Sequence, residues 1–291
     1  MLFRSLQDMV VTATKTETPA EEIGYSMSVI EREEIENSNL TYVTDILSTV
    51  NGVDFWSNGP HSNANTLSIR GLKGYHTKVL VNGIPAQDTS GVQVLPTLND
   101  LTLDNVQRIE VIRGASSTLY GSNSMGGVVN IITREGKDAA HGSVSTEFGS
   151  HEFQKYNAAF RGKEGIMDYS FSGSYTGEQG ISNKNDLALN DDNDPFRNEK
   201  YNADVGFQLL ENLRLEVFGS FSDIDEEYDN GSTWPDPANG WSMPTLDSGD
   251  IHTQRWMAGG KLSAQNMWDI WDSSFRYSFT RSDRHYLDTT G

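Results

Sequence analysis

The chain has 291 residues, a formal net charge of −19 and no cysteine. That charge argues against nucleic acid as a partner, because phosphate contacts need clustered Lys and Arg. No run of about 18 apolar residues occurs, which excludes a transmembrane helix, whereas 27 Gly, 11 Tyr, 12 Phe and 6 Trp suit a transmembrane barrel of alternating strands with aromatic girdles.

The N-terminus carries no visible signal peptide, since Met1 to Gln7 is too short and lacks an apolar core. We therefore expect a mature start or one cut from a longer reading frame. Apolar residues then recur at helical spacing and end at the helix stop Asn51-Gly52. They are Leu40, Val43, Ile46, Leu47 and Val50.

Short strands follow this predicted helix. The pattern predicts strands over Leu67 to Arg70 and over Lys78 to Val81, the second closing on Asn82-Gly83, a strong tight-turn signal between apolar runs. Together with the helix, these strands indicate that the first 136 residues form a small α+β domain.

Residues 107–134 are the most informative stretch of this half. Two β-type runs, 109–112 and 128–132, flank a segment rich in Gly and Ser, and three charged residues interrupt the first run: Arg108, Glu110 and Arg113. Charges in a half-buried strand are costly unless paired, so we expect a buried polar network rather than a solvated edge strand. A phosphate loop is disfavoured, because the Gly-Lys-Ser/Thr ending is missing.

From about Gly142 the sequence alternates with a period of two. In residues 201–209 the odd positions are Tyr, Ala, Val, Phe and Leu, and the even ones are Asn, Asp, Gly and Gln. Seven segments share this alternation: 143–148, 155–161, 167–175, 201–209, 213–221, 255–262 and 274–280. We therefore expect seven strands.

The connections between these strands alternate in length. Residues 181–199 and 222–252 are long and acidic, like extracellular barrel loops, whereas 164–165, 210–212 and 266–269 are short, like periplasmic turns. A soluble sandwich would also alternate, but with compact loops. Because seven strands close no barrel and a lumen that houses a domain needs about 22, we expect an incomplete 22-stranded barrel.

Three motifs occur in the order of one known family. Asp8-Met-Val-Val-Thr-Ala-Thr14 resembles the TonB box of cobalamin and catecholate-siderophore receptors. Thr66-Leu-Ser-Ile-Arg-Gly71 and Val79-Leu-Val-Asn-Gly-Ile84 resemble the middle of their plug domain. Residues 107–134 resemble its end, with Ala115 where the family commonly has Pro. The chain thus resembles a TonB-dependent outer-membrane receptor.

This resemblance implies an N-terminal remnant at 1–7, a TonB box at 8–14, an α+β plug domain at 15–136 and antiparallel transmembrane β-barrel strands at 137–291. The protein would lie in the outer membrane of a Gram-negative cell, with plug and box facing the periplasm. The implied partners are TonB with ExbB and ExbD, outer-membrane lipid, and a metal-chelate or cobalamin substrate.

The resemblance also assigns roles to residues. TonB would bind Asp8, Met9, Val10, Val11, Thr12, Ala13 and Thr14, whose extended chain suits strand addition to a partner's sheet. Arg70, Arg108, Glu110 and Arg113 would form a plug–barrel polar network. Apical loops at 54–65 and 86–97 would hold the substrate, with Trp56, His61 and Gln87 as candidates, although each is equally well explained as an ordinary loop residue.

The acidic loops are candidates for calcium, which takes six to eight oxygen ligands and orders such loops in cobalamin receptors. The candidate ligands are Asp186, Asp191, Asp192, Asp194, Asp225 and Asp229. The EF-hand template fails, because Asn230 stands where Gly is required. A solvated acidic loop explains these residues equally well.

The leading hypothesis is TonB-dependent import of a scarce nutrient. Cobalamin is slightly preferred as that nutrient over an iron siderophore or haem. The alternative is a receptor-like protein that captures a substrate or signals without transport, although only seven residues precede the box, where a signalling receptor carries a further domain. An enzyme is not expected, since the sequence has no His-Glu-x-x-His, no Gly-x-Ser-x-Gly and no cysteine.

Overall fold

The computed structural model describes residues 9–10, 12, 18–19, 24–57, 65–88, 94–180, 193–230, 233–235, 242–244, 247–267 and 271–288. These residues divide into two compact units, one comprising those up to Trp56 with Asn65–Arg134, and one comprising Ser57 with those from Glu135 onward. No helix in the described part of the chain is long and apolar enough to cross a membrane.

The first unit combines short strands with short helices. Its strands are β1 (Met9–Val10), β2 (Thr18–Pro19), β3 (Ser26–Glu31), β4 (Val53–Ser57), β5 (Asn65–Ile69), β6 (Thr77–Val81), β7 (Ile84–Pro85), β8 (Gln87–Asp88), β9 (Leu95–Pro96), β10 (Val106–Arg113) and β11 (Gly127–Thr133). Its helices are α1 (Arg32–Ser38), α2 (Val43–Ser48) and α3 (Ser117–Tyr120), and a 3-10 turn covers Gly74–His76.

The main sheet of this unit has the order β3-β10-β11-β6-β7. Strands β11 and β6 run parallel, and the other neighbours run antiparallel. The side chains of Val79, Ile109 and Val111 are fully buried. Strand β10 therefore lies inside the sheet with neighbours on both sides, and its charged residues do not belong to a solvated edge.

Local turn chemistry explains how β6 ends. Asn82 and Gly83 both adopt positive φ, 50° and 75°, as the predicted tight turn requires. The helix predicted around Leu40 to Val50 is shorter than expected, since α2 covers only Val43–Ser48. Helix α1 was not predicted, because Ile35 is its only buried side chain and its sequence has no apolar periodicity.

The second unit is a meander of long strands. They are β12 (His141–Phe148), β13 (Gln154–Glu164), β14 (Met167–Glu178), β15 (Phe196–Leu210), β16 (Leu213–Asn230), β19 (Asp247–Met267) and β20 (Trp271–Asp288). Between β16 and β19 lies a two-stranded hairpin, β17 (Thr233–Pro235) with β18 (Ser242–Pro244). The seven long strands pair in chain order, all antiparallel, so the prediction of seven strands is confirmed.

The two faces of this sheet have the reverse of the polarity found in a soluble domain. Exposed large side chains alternate along the strands on one face, for example Phe171 on β14, Tyr201 on β15 and Phe275 on β20. Polar and charged side chains such as Ser170 and Arg255 are buried on the other face. An apolar, aromatic outer face with a polar inner face is the pattern of a barrel wall that contacts lipid.

Both predicted long connections are shorter than expected. Strand β15 already begins at Phe196, β16 continues to Asn230, and β19 starts at Asp247, so parts of 181–199 and 222–252 are strand. The prediction stopped each strand where apolar alternation ended, but backbone pairing continues through polar residues, because the ladder uses main-chain groups.

Candidate functional site

Thr12 is the residue through which the N-terminal segment is fixed to the main sheet of the first unit. Its backbone N–H donates to Glu110 Oε2 at 2.7 Å, and its hydroxyl donates to the same oxygen. Asn130 Nδ2 donates to Thr12 Oγ1 at 3.0 Å, and the Tyr120 hydroxyl donates to the Thr12 carbonyl at 2.7 Å. We call these four residues, Thr12, Glu110, Tyr120 and Asn130, the Thr12 clasp.

Three of the four clasp residues are buried, and Tyr120 is half buried. Thr12 and the side chain of Glu110 are both fully buried, and Arg108 Nε lies 2.8 Å from Glu110 Oε1, so the carboxylate divides its oxygens between Arg108 and Thr12. Every hydrogen-bonding group of Thr12 thus has a partner. Because a neutral hydrogen bond contributes about 0.5–1.5 kcal/mol net and one to a charged group about 1.5–3 kcal/mol, the clasp favours the docked segment by a few kcal/mol.

Sequence distance explains why the clasp was not foreseen. Glu110 was expected in a polar network with arginines, but Tyr120 and Asn130 carried no signal of their own, since their partner lies 108 and 118 residues away. Tyr120 is also held from its other side, because Lys78 Nζ donates to its carbonyl at 2.7 Å. The clasp is therefore tied to β6, β10 and β11.

Arg113 forms a separate cluster at the far end of β10. Its Nε donates to the Asn51 carbonyl and its Nη2 to Ser28 Oγ, both at 2.7 Å. Burial, followed by the charge of nearby Arg70, lowers the pKa of the Arg113 guanidinium. Arg70 itself is exposed and has φ 54°. The four residues of the predicted polar network thus fall into two groups, Arg108 with Glu110 and Arg70 with Arg113.

Known proteins share this arrangement of sheet and strands. The model of the TonB-dependent receptor plug domain family matches residues 19–128. Residues 19–128 are a TonB-dependent receptor plug domain. The seven-stranded antiparallel sheet that follows the plug matches part of a TonB-dependent receptor barrel.

Three solved structures illustrate the match. The siderophore receptor PirA from Acinetobacter baumannii is 20% identical, with a TM-score of 0.67 over 89% of this chain and 40% of its own. The ferripyoverdine receptor of the outer membrane of Pseudomonas aeruginosa is 17% identical, with a TM-score of 0.71 over 96% and 37%. A mutant of the ferric enterobactin receptor of the same species is 22% identical, with a TM-score of 0.65 over 88% and 41%.

The chain therefore spans about two fifths of the length of these receptors. At such identities the likeness concerns the fold. TonB-dependent receptors are transporters and not enzymes, in keeping with the absence of nucleophile and metalloprotease motifs from the sequence.

The predicted TonB box lies only partly within the described residues. Met9 and Val10 form β1, which pairs with β2 through Val10 and Thr18, and the side chain of Val10 is fully buried. Asp8, Val11, Ala13 and Thr14 lie outside the described residues. The described part of the box is thus docked on the plug through Val10 and the Thr12 clasp.

The substrate candidates differ in their surroundings. Trp56 on β4 is 67% exposed. Gln87 on β8 is half buried, and its Nε2 has no hydrogen-bond partner among the described residues. His61 lies outside the described part of the chain. Trp56 offers an open aromatic face, which suits contact with a large ligand, whereas the Nε2 of Gln87 is shielded from solvent.

The acidic candidates for calcium are not brought together by the described residues. Asp194 is buried just before β15, whereas Asp225 lies on β16 beside His252 and Arg197. Asp186, Asp191 and Asp192, and the side chain of Asp229, fall outside the described residues, so calcium remains a prediction.

A charged pair marks the polar face of the strand sheet. Arg214 on β16 makes a two-pronged contact with Asp168 on β14, at 2.7 Å and 3.0 Å. The pair spans β15 at Gly206, where a Cβ would lie 2.4 Å from Arg214 Nη2 and 2.5 Å from Asp168 Oδ1. Glycine at 206 is therefore what permits this cross-strand ion pair.

Proposed function

We propose that this chain is the plug and first barrel strands of a receptor that imports a ferric siderophore across the outer membrane of a Gram-negative bacterium. In this proposal the plug closes the pore, and TonB, with ExbB and ExbD, supplies energy through residues 8–14. The apolar outer face of the strands contacts outer-membrane lipid.

The Thr12 clasp is the observation that carries the proposal. A segment that leaves the plug to bind a partner needs a docked state that is held by only a few contacts, so that a modest free energy releases it. Thr12 meets this need, because this one residue supplies the described polar contacts between the box and β10, β11 and α3. Met9 and Val10, which form β1 just ahead of Thr12, are extended, as strand addition to TonB requires.

The substrate class is inferred from the relatives. Three of the matched structures are a siderophore receptor, a ferripyoverdine receptor and a ferric enterobactin receptor. They support an iron siderophore over the cobalamin that the acidic loops suggested, and over haem. Exposed Trp56 is the contact that we propose for it on the plug, and Gln87 can join only after its shielded Nε2 becomes accessible.

Strand addition is tested with proline. Proline removes one N–H donor and fixes φ, and neighbouring residues of a strand point their N–H groups to opposite sides. In a peptide of residues 5–20, one of Val10→Pro and Val11→Pro should therefore abolish binding to the periplasmic domain of TonB, while the other weakens it only mildly. Wild-type binding by both peptides would contradict strand addition through this segment.

Uptake separates an importer from a protein that only captures or signals. Cells that produce the full-length receptor with the damaging proline should still bind radiolabelled ferric siderophore at their surface but should not accumulate it. If accumulation is unaffected, the transport proposal is wrong. If wild-type cells bind the siderophore and never accumulate it, the non-transporting alternative holds.

A further inference from the structure

Polar residues follow the aromatic ones on the outward face of the strand sheet. The register of β15, β16, β19 and β20 creates three cross-strand rows. They are Tyr201, Phe221, Trp256 and Arg281; then Glu199, Asp223, Gln254 and Asp283; then Arg197, Asp225, His252 and His285. In the first row Phe221 contacts Trp256, with ring centroids 4.2 Å apart. The aromatic face thus gives way to two successive polar rows.

Asp223, Asp225 and His252 bring three potential metal ligands together in these polar rows. Their ligand atoms all lie within 4.8 Å of one another. His252 Nδ1 is 2.6 Å from Asp225 Oδ1 and 3.6 Å from Asp223 Oδ1. Two ligands of a tetrahedral zinc ion, with bonds of about 2.0–2.1 Å, stand about 3.3 Å apart. The observed separations lie on either side of that value.

The two carboxylates are oriented by their other oxygens. Gln254 Nε2 donates to Asp223 Oδ2 at 3.0 Å, and Arg197 Nε lies 3.4 Å from Asp225 Oδ2. Each Oδ2 is thus engaged, while each Oδ1 is turned towards the imidazole of His252. Outer partners that hold ligands in this way are usual around protein metal sites.

Asp223 Oδ1 has only His252 Nδ1 facing it among the polar contacts of the described residues, at 3.6 Å, beyond hydrogen-bond distance. This oxygen is shielded from solvent and accepts no hydrogen bond from any residue that the structure describes. A shielded carboxylate oxygen without a donor is costly, and a bound cation would remove that cost.

We propose that Asp223, Asp225 and His252 bind one divalent first-row transition-metal ion, of which Zn²⁺ is the representative. One imidazole nitrogen with two carboxylate oxygens suits such an ion better than Ca²⁺ or Mg²⁺, which prefer oxygen ligands throughout. His285 stands opposite His252 in the same row and adds a second imidazole to the neighbourhood. The ion joins β16 to β19 on the outward face.

Titration of the 291-residue chain, refolded in detergent micelles, with ZnCl₂ tests the proposal. Calorimetry should detect one site. His252→Gln and Asp223→Asn should each weaken Zn²⁺ binding by about 10-fold to 100-fold or more, since loss of an outer partner alone commonly costs that much. His141→Gln is the matched control, because His141 is an exposed histidine on β12, outside the cluster.

Cobalt supplies a direct view of the ligands. Co²⁺ bound to the wild-type chain should give visible absorption bands that His252→Gln removes and His141→Gln retains, with all variants keeping the wild-type β-sheet circular dichroism. If the His252→Gln chain misfolds, metal binding by the Asp223→Asn chain decides whether the proposal holds. The proposal is overturned if the wild-type chain binds no Zn²⁺, if binding survives both substitutions, or if His141→Gln removes it as well.

Discussion

Replacing Thr12 by valine removes the hydroxyl at the centre of the clasp and keeps the shape of the side chain. Two hydrogen bonds disappear, the one donated to Glu110 and the one accepted from Asn130. The backbone N–H bond to Glu110 and the Tyr120 bond to the carbonyl remain. The substitution therefore weakens docking without abolishing it.

The magnitude follows from those two bonds. A hydrogen bond to a charged group contributes about 1.5–3 kcal/mol and a neutral one about 0.5–1.5 kcal/mol. The lower sum, about 2 kcal/mol, shifts the equilibrium between docked and free segment by about 30-fold, at 1.4 kcal/mol per factor of ten. Thr12→Ser is the matched control, because it keeps the hydroxyl and loses only the methyl group.

Hydrogen exchange measures this shift directly. In the intact chain, the amide of residue 12 should exchange about 30-fold faster in Thr12→Val, if opening and closing are fast, and near the wild-type rate in Thr12→Ser. The periplasmic domain of TonB should bind the Val variant more tightly by up to the same factor, whereas peptides of residues 5–20 should bind alike. Equal exchange in wild type, Val and Ser chains would refute the clasp as the docking element.

Three further outcomes are expected. Gly206→Ala should lower the free energy of unfolding by about 1–3 kcal/mol, because its Cβ would displace the Asp168–Arg214 pair. Gly219→Ala should change it little, because a Cβ at Gly219 would have nothing within 4 Å. Equal effects of the two substitutions in chemical denaturation would disprove this. Trp56→Ala should weaken ferric siderophore binding, measured by fluorescence titration, and Trp271→Phe should not; a loss in both would remove Trp56 as a contact. In the full receptor, Asp191, Asp192 and Asp194 changed together to Asn should abolish calcium binding by calorimetry, and an unchanged titration would leave solvated loops.

Elements that depend on local sequence were predictable. The Asn82-Gly83 turn needs positive φ at two neighbouring positions, and few residues accept that conformation. The long strands were predictable from the alternation of apolar and polar residues, because successive side chains of a strand point to opposite faces. Helix α1 was missed for the complementary reason, since its mainly polar sequence buries one side chain and leaves no periodic signal.

Contacts between residues far apart in the chain could not be predicted from the sequence. Thr12 lies 98, 108 and 118 positions from the other three residues of the Thr12 clasp, and nothing local marks Tyr120 or Asn130 as its partners. The outward metal-ligand cluster likewise depends on register, because His252 meets Asp225 only when β16 and β19 pair as they do. Glu110 was marked in advance as a charge on an apolar strand, but Thr12 was not foreseen as its partner.

The position of the Thr12 clasp has a mechanical consequence. Glu110 and Asn130 belong to β10 and β11, which pair along almost their whole length, so a pulling force on the N-terminus meets a few bonds at Thr12 before it loads that long ladder. The weaker set yields first, and the sheet stays intact. Once Thr12 is free, the chain from residue 13 to residue 25 can span at most about 45 Å, at roughly 3.5 Å per residue. If TonB pulls on this segment, as proposed, the segment therefore straightens first. The force reaches the sheet of the plug only after the segment is fully extended.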